Sequence, residues 1–404
     1  MDLAKRSSND SLAKQVLYVN HLPPGHRRAT IWGEIGIVLG VRIIVWDNQR
    51  RGRTWRRDIL STTHQKKLVQ LIIALTSGIR AAIISSIRAL LWLRREDISA
   101  CIICNGGIES IIILTIMQWK KIPVYLDVVD LLSSTQALDS RARTACELFA
   151  FRHAQYCFFV SASQLNEARS AGNVKANSSA WLPYGIIATD TQDWLLDQIS
   201  ARRSLYIAET NCVITWSGGL FIKDGQELND LTLVIEGCEI LASRLQVNVT
   251  LVLNGILPQD LHPLRHNPKD DKLEIRCLGR FEWGSSQHRL ALSAANVLAL
   301  PASPPLYNAH RAKVYDYMAS GRPIVATQAV EMKTLLGQEA IWVDVRSGTA
   351  WADALERCWL TSRGFTKTRE LLARCYTPQA LAQRIRLMPP VPEEPLRGTK
   401  KSLA

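Results

Sequence analysis

Cationic and acidic side chains cluster between Asn308 and Val325, at a spacing suited to binding a phosphorylated ligand. Arg311 and Lys313 fall at the start of a predicted helix, beside its free backbone N–H groups. Two fixed cations at a helix N-terminus can bind a phosphate or diphosphate. Asp316, one turn further, can accept hydrogen bonds from sugar hydroxyl groups. The alternative is that both cations are solvated surface charges.

The flanking elements predict how these side chains are held. Val297–Pro301 reads as a buried strand, and Ala312–Ser320 carries helix formers. Gly321 and Pro323 end that helix, and Ile324–Ala326 reads as a second buried strand. A strand, a helix and a strand in this order predict a parallel α/β sheet.

Length and charge bound the class of protein. The 404 residues suffice for two domains, and the net charge of +13 favours acidic partners such as nucleotide phosphates, anionic lipid or nucleic acid. Nine cysteines, several of them inside apolar runs, predict reduced core thiols in a cytosolic protein and no metal site. The polar N-terminus lacks the apolar core of a signal peptide.

Two features of the first half suit a ligand-binding edge. The loop His21–Arg28 joins a predicted strand to a helix that Thr30 can cap, a place where doubly wound domains meet phosphate. Asp127 and Asp130 fall near the carboxyl end of the predicted strand Ile122–Val129, where ligands bind. Either carboxylate can orient an acceptor hydroxyl or accept its proton. Alternatively, both cap the following helix.

A basic stretch, Asn48–Arg57, precedes the segment Lys66–Arg95, whose apolar and cationic residues separate at helical spacing. This pattern predicts either two ordinary helices packed on the sheet or an amphipathic surface that contacts an anionic membrane. The arginines also leave a nucleic-acid-binding protein open, although no nucleic-acid-binding motif accompanies them.

The second half opens a new run of alternating strands and helices. Cys212–Trp216 reads as its first strand, and a loop rich in glycine follows directly. Gly218 and Gly219 let backbone N–H groups approach a diphosphate closely. The pattern continues to Leu387, and the tail Pro389–Ala404 has the composition of a disordered segment.

The stretch Met318–Ala326 resembles the run A-x-G-x-P-V-V-A of the retaining GT-B glycosyltransferases of family 4, also called group 1. In that family two acidic residues bind the donor; the first position falls on Asn308, and the second on an aspartate. A subgroup carries F-R-x-R-x-x-D-Y, which is similar to the spacing of Arg311, Lys313, Asp316 and Tyr317.

Weaker similarities extend over most of the chain. Val160–Ser163 resembles the V-S-x-x of the last strand of the first domain, and Trp181–Ile186 resembles I-P-N-G-V, which marks the passage between domains. Ser217–Asp224 is similar to the subgroup's W-G-G-G-x-x-x-x-x-D. By position, Gly25 and Arg28 fall in the loop that faces the donor phosphates.

The resemblance implies an α/β GT-B fold, with two facing Rossmann-like domains across a cleft at 1–185 and 186–388, and a tail at 389–404. It implies a retaining glycosyltransferase that takes a nucleotide-sugar donor without a metal or other cofactor. We expect a glycan or lipid-linked acceptor and a cytoplasmic protein that docks peripherally at the inner face of the membrane. Alternatives are an epimerase-like NDP-sugar enzyme or an inactive partner subunit, both favoured by Asn308. The predicted catalytic residues are Asp127 and Asp130. The predicted donor-binding residues are Gly25, Gly218, Gly219, Asn308, Arg311, Lys313, Asp316 and Tyr317.

Overall fold

The computed structural model describes most of the chain, with gaps that include the segment between the second and third strands. The described residues are 15–20, 27–47, 87, 91, 98–105, 108–129, 131, 141–186, 196–220, 222–223, 226–264, 271–281, 284–361 and 366–388. They form two α/β units, each built on a parallel sheet of six strands.

The first sheet takes its strands from buried apolar runs, as expected for a parallel sheet covered on both faces. Strands β1 to β6 are Gln15–Asn20, Arg42–Asp47, Ile98–Cys104, Val124–Val128, Tyr156–Phe159 and Ser179–Trp181. Their order in the sheet is β2-β1-β3-β4-β5-β6, and all pair in parallel. The order reverses between β1 and β3.

Among the described residues, four helices with defined bounds belong to this unit: α1 to α4 are Arg27–Leu39, Ile108–Trp119, Arg141–His153 and Ala162–Ser170. Helices α2, α3 and α4 pack on one face of the sheet, and α1 lies on the other. The prediction that Thr30 caps α1 is wrong. The helix begins three residues earlier, at Arg27, because the two arginines of its first turn are buried against carboxylates.

The second sheet repeats the plan. After α5 (Gln198–Ser204), its strands β7 and β10 to β14 are Cys212–Ser217, Val249–Asn254, Leu273–Gly279, Val297–Leu300, Ile324–Thr327 and Ile341–Val343. Their order is β11-β10-β7-β12-β13-β14, again parallel, with the reversal between β7 and β12. A short antiparallel pair, β8 and β9, joins Ile222–Lys223 to Gln226–Glu227.

The helices of this unit alternate with its strands: α6 to α12 are Leu231–Leu245, Ser286–Ser293, Lys313–Ser320, Val330–Leu336, Gly348–Thr361, Thr366–Cys375 and Pro378–Leu387. Helices α6 and α10 pack on one face. The predicted helix of the phosphate-binding motif is α8, and Gly321 ends it in a left-handed conformation.

The two units share a core. One apolar cluster contains Tyr18 and Ile102 of the first sheet together with Leu298 and Val314 of the second unit. The last helix, α12, returns to the first unit, where Arg386 Nη2 donates to the carbonyl of Val38 on α1 (2.8 Å). These contacts set the two sheets beside each other as the predicted two-domain architecture requires.

Among the described residues, no helix is long and apolar enough to cross a membrane. All nine cysteines lie in the described part of the chain and none forms a disulfide; seven are buried and two are half-buried.

Candidate functional site

Two glycines meet at the carboxyl edge of the second sheet, where its strand order reverses. Gly218 follows β7 with φ of +142°, and Gly255 follows β10 with φ of +107°. The Gly218 amide donates to the carbonyl of Asn254 (2.8 Å), and a Cβ on Gly255 would overlap the Gly218 carbonyl. Only glycine fits this approach, which leaves an open backbone turn at the edge where α/β sheets bind ligands.

Lys313, the first residue of α8, extends over this turn. Its Nζ lies 4.1 Å from the ring centroid of Trp216, and a Cβ on Gly218 would stand 2.5 Å from it. Burial, and then the charge of Arg311, holds the pKa of the Lys313 ammonium well below its usual value. The missing side chain at Gly218 is therefore what makes room for the ammonium group.

Arg311 brings a second cation to the same place. Its Nε and Nη2 atoms are buried and have no hydrogen-bond partner among the described residues. Burial lowers the pKa of its guanidinium to about 10, although the carboxylates of Glu227 and Asp230 act in the opposite direction. Those carboxylates are engaged elsewhere: Glu227 accepts from the amide of Leu231 (2.7 Å), and Asp230 forms a two-point ion pair with Arg346 (2.6 and 2.7 Å).

These groups together form an anion site. Buried donors without partners are costly, and a cation that is not neutralised costs more. An anion with several acceptor oxygens placed between Gly218 and the start of α8 would satisfy Arg311 and Lys313, and it would lie at the positive end of the helix dipole.

Asp316 is paired with a cation of the other unit. Its Oδ1 accepts from Arg27 Nη1 (2.8 Å), and both side chains are nearly inaccessible to solvent. The same Nη1 reaches the carbonyl of Ala312 (3.4 Å), just before α8. In this arrangement the carboxylate joins α1 to α8, and a sugar hydroxyl would have to compete with Arg27 for it.

Tyr317 and Asn308 support the site in different ways. The Tyr317 hydroxyl accepts from the amide of Ser217 (2.9 Å) and donates to the carbonyl of Ala299 (3.2 Å), so it fixes β7 just before Gly218. Asn308 is exposed, and its backbone carbonyl accepts from Ser161 of the first unit (3.0 Å).

Asp127 is fully buried, which favours a structural role over the predicted catalytic one. Arg28 donates to both of its oxygens through Nε and Nη2 at 2.6 to 3.0 Å. The Tyr18 hydroxyl (3.0 Å) and the Trp32 indole (2.9 Å) donate to Oδ2. Arg28 also donates to the carbonyl of Pro183 (2.7 Å), so it ties β4 to the passage between the units rather than facing a phosphate.

Five of the predicted features lie wholly or largely outside the described residues. Gly25, Asp130 and the basic stretch Asn48–Arg57 lie outside the described residues, as do nearly all of Lys66–Arg95 and the tail from Pro389. Gly219 is described; it is exposed, and a Cβ there would meet nothing within 4 Å.

The sequence patterns missed a polar group between the units. Glu331, on α9, accepts from the Ser161 hydroxyl (2.8 Å) and the Ser163 amide (3.1 Å), and His310 Nδ1 lies 3.4 Å from its other oxygen. The His310 ring stacks on Tyr184, with centroids 5.0 Å apart. No local motif marks these residues, because their partners are distant in the chain.

Gly255 and His288 were also missed as neighbours of the anion site. The dipeptide Asn254-Gly255 directly after a strand was the available signal for the first. The pKa of His288 is lowered to about 3 by burial and then by the charges of Arg27 and Lys313, so its imidazole is neutral. No cluster of three or more His, Cys, Asp or Glu side chains suited to a metal ion occurs in the described part of the chain.

Comparison with known proteins shows what the second unit is similar to. Residues 212–360, the second unit with its glycine turn and α8, match the family model described as "Glycosyl transferases group 1". The match confirms the resemblance predicted from Met318–Ala326. No curated protein sequence matches the chain.

Several solved structures share the fold along almost the whole chain. Anabaena Alr3699/HepE in complex with UDP-glucose is 14% identical, with a TM-score of 0.63 and coverage of 92% of this chain and 98% of that one. The E. coli structure described as trehalose-6-phosphate bound with UDP-2-fluoro glucose is 11% identical, with a TM-score of 0.63 and coverage of 92% of this chain and 98% of that one. The S. aureus MnaA-UDP structure is 10% identical, with a TM-score of 0.53 and coverage of 92% of this chain and 95% of that one. At these identities the likeness shows the fold, which is GT-B as predicted.

Proposed function

We propose that this protein is a glycosyltransferase that binds the diphosphate of a nucleotide-sugar donor between the Gly218 turn and the N-terminus of α8. The observation that carries the proposal is the pair of cations at that point, since Arg311 has two buried donors without partners and Lys313 fills the space above a glycine. The family match over residues 212–360 and the UDP and UDP-glucose bound in proteins of this fold support the same ligand class.

The proposed chemistry needs stabilisation of the departing nucleoside diphosphate. We infer that Arg311, Lys313 and the helix N-terminus provide it without a metal ion, because their charges are in place before negative charge develops. The neutral imidazole of His288 lies near enough to Lys313 to be influenced by its charge, and it adds no competing cation. Retention of the anomeric configuration, implied by the resemblance, is part of the proposal.

Thermal shift of the purified chain against a panel of nucleotide sugars tests the donor site. A true donor stabilises the folded state by about 2.7 kcal/mol at 100 times its Kd. Arg311→Met and Lys313→Met should abolish this shift. Arg322→Met is the matched control, because Arg322 is a half-buried arginine just beyond the other end of α8, with a buried Nε that lacks a hydrogen bond among the described residues. Equal donor shifts in all three variants would refute the site.

A second candidate function is suggested by the residues at the two positions that bind the donor sugar in the family. Asn308 is not acidic, and Asp316 is occupied by Arg27. A GT-B protein that turns over an NDP-sugar without an acceptor, or an inactive partner subunit, would fit both facts. Donor consumption measured with and without added acceptors separates the three: acceptor-dependent consumption indicates transfer, acceptor-independent change of the sugar indicates an epimerase-like enzyme, and binding without consumption indicates a partner subunit.

We further propose a lipid-linked or glycan acceptor at the cytoplasmic membrane face, on the strength of the net charge of +13 and the basic, amphipathic segment Asn48–Arg95. Anionic headgroups attract each nearby cation by about 1 kcal/mol. Sedimentation with anionic vesicles should therefore rise with anionic lipid and fall with salt. It should weaken when five arginines are neutralised, namely Arg50, Arg51, Arg53, Arg56 and Arg57. A chain that stays in the supernatant at low salt would contradict this proposal.

A further inference from the structure

An apolar cavity of about 470 Å³ lies on one face of the first sheet, beneath α1 and α12. Its volume is in the range of about 300–1,000 Å³ that is usual for small-molecule sites. Among the described lining residues, Ser99 is the short polar one, and its hydroxyl already donates to the carbonyl of Gln15 (2.8 Å). The walls are aliphatic and aromatic, as shown by Val16, Trp32, Ile102, Tyr125, Phe158 and Ile385.

The cavity lies at the end of the sheet away from the anion site. Val16, Ser99 and Tyr125 each stand second in their strands, and Tyr156 stands first in its strand. The cavity therefore lies near the amino edge of the parallel strands, whereas donor-type ligands bind at carboxyl edges. It is a separate site, and the proposed donor chemistry does not require it.

The surface at this edge combines cations with exposed apolar side chains. Arg42 begins β2 and is exposed, Lys121 is exposed in the turn before β4, and Arg386 is exposed on α12. Trp119, at the end of α2, is 72% exposed, and Leu387, next to Arg386, is 76% exposed. Aromatic and aliphatic side chains beside cations suit the interface of an anionic membrane.

We propose that the cavity holds one acyl chain of an anionic membrane lipid, with the lipid headgroup against the cations of this edge. A predominantly apolar interior can take a hydrocarbon chain and offers few hydrogen-bonding groups to a polar ligand. Arg42 and Arg386 are exposed and each is adjacent in the chain to a lining residue, so both can supply charge complementarity to the headgroup. The lipid would anchor the amino edge of the first unit to a membrane, independently of the segment Asn48–Arg95.

Cosedimentation of the full chain with vesicles of phosphatidylcholine and phosphatidylglycerol tests this site. Ile385→Asp should lower vesicle affinity about tenfold or more, because a carboxylate is costly inside an apolar cavity. Gln383→Asp is the matched control: it adds the same charge on the same helix, at an exposed position that does not line the cavity. Equal affinity of the two variants would overturn the proposal.

A second variant distinguishes loss of lipid binding from loss of folding. Ala100→Phe fills the cavity without adding charge, and it should also lose vesicle affinity while keeping a cooperative melt and the thermal shift with the donor. Wild-type vesicle affinity in a folded Ala100→Phe protein would overturn the site. The fluorescent fatty acid cis-parinaric acid identifies the source of the chain, since binding of this probe without any binding of vesicles would overturn the membrane lipid as the ligand. Because the donor shift is measured on the same samples, failure here is distinguishable from failure of the donor site.

Discussion

Arg28 and Arg311 both have buried guanidinium nitrogens, but they differ in their hydrogen-bond partners. Arg28 is fully buried, and Asp127 and the carbonyl of Pro183 accept its hydrogen bonds, so its charge is compensated. Arg311 has two buried donors with no partner in the described residues. A paired charge of this kind holds elements together, whereas an unpaired one lowers stability and is retained where a ligand completes it.

The pH dependence of donor affinity should report on Lys313. Its pKa is lowered by burial and by Arg311 in the ligand-free protein, and a bound diphosphate would raise it again. Donor binding therefore takes up a proton, so affinity is greatest below the lowered pKa and falls as pH rises through it. Isothermal titration over a pH series measures this fall. Lys313→Arg keeps its charge and should flatten the profile; superimposable profiles would contradict the assignment.

The sequence was sufficient to predict where Arg311 and Lys313 lie, but not which groups pair with Asp127 and Asp316. A helix start and the spacing of Arg311 and Lys313 are local, so they can be read from adjacent residues. The partners of Asp127 and Asp316 stand 99 and 289 positions away in the chain. No pattern within a single segment reveals such ion pairs.

At the level of elements, buried strands and amphipathic helices were predictable because their apolar spacing is local. Helix α8, predicted at Ala312–Ser320, begins at Lys313 and ends at Ser320 in the structure. Helix α9, Val330–Leu336, was not predicted, since its seven residues are too few to establish a helical period. The misplaced N-terminus of α1 follows from the same limit: its buried arginines look like surface residues in the sequence.

Alanine substitutions at the glycines that follow β7 and β10 should destabilise the protein to different degrees. Gly255→Ala should destabilise the fold by about 1–3 kcal/mol or more, because its Cβ would meet backbone and its φ is positive. Gly218→Ala should destabilise less, because its Cβ meets the flexible ammonium group of Lys313 and not backbone, although its φ is positive too. It should also lower donor affinity, since it displaces that ammonium group. Gly219→Ala, with open space around it, is the control for folding.

Chemical denaturation and donor titration of the three alanine variants separate these effects. The expected order of stability loss is Gly255→Ala, then Gly218→Ala, then Gly219→Ala with almost none. Equal stability of the Gly255→Ala and Gly219→Ala proteins would show that the two glycine turns do not approach each other in solution as they do here.

For the whole molecule, polar contacts between the units complement the shared apolar core. Arg27 pairs with Asp316, and Ser161 donates to Glu331 and to the carbonyl of Asn308. All of these groups flank the anion site or the loop before α8. The arrangement of the two units is thus coupled to the position of the helix that carries the donor-binding cations, a relation that no single-domain motif predicts.

The Arg27–Asp316 pair should make a measurable contribution to the association of the two units. Removing one partner of a buried ion pair typically costs about 3–5 kcal/mol, so Arg27→Met and Asp316→Asn should each destabilise the protein strongly. The double variant should cost clearly less than the sum, because the remaining charge is removed as well. Denaturant unfolding of the four proteins measures this coupling. The exposed pair Arg203–Glu209 is the control, with an expected coupling of about 0.2–1 kcal/mol. Additive effects at Arg27 and Asp316 would mean that α1 and α8 are not joined in solution, and Asp316 would then be available to the donor sugar.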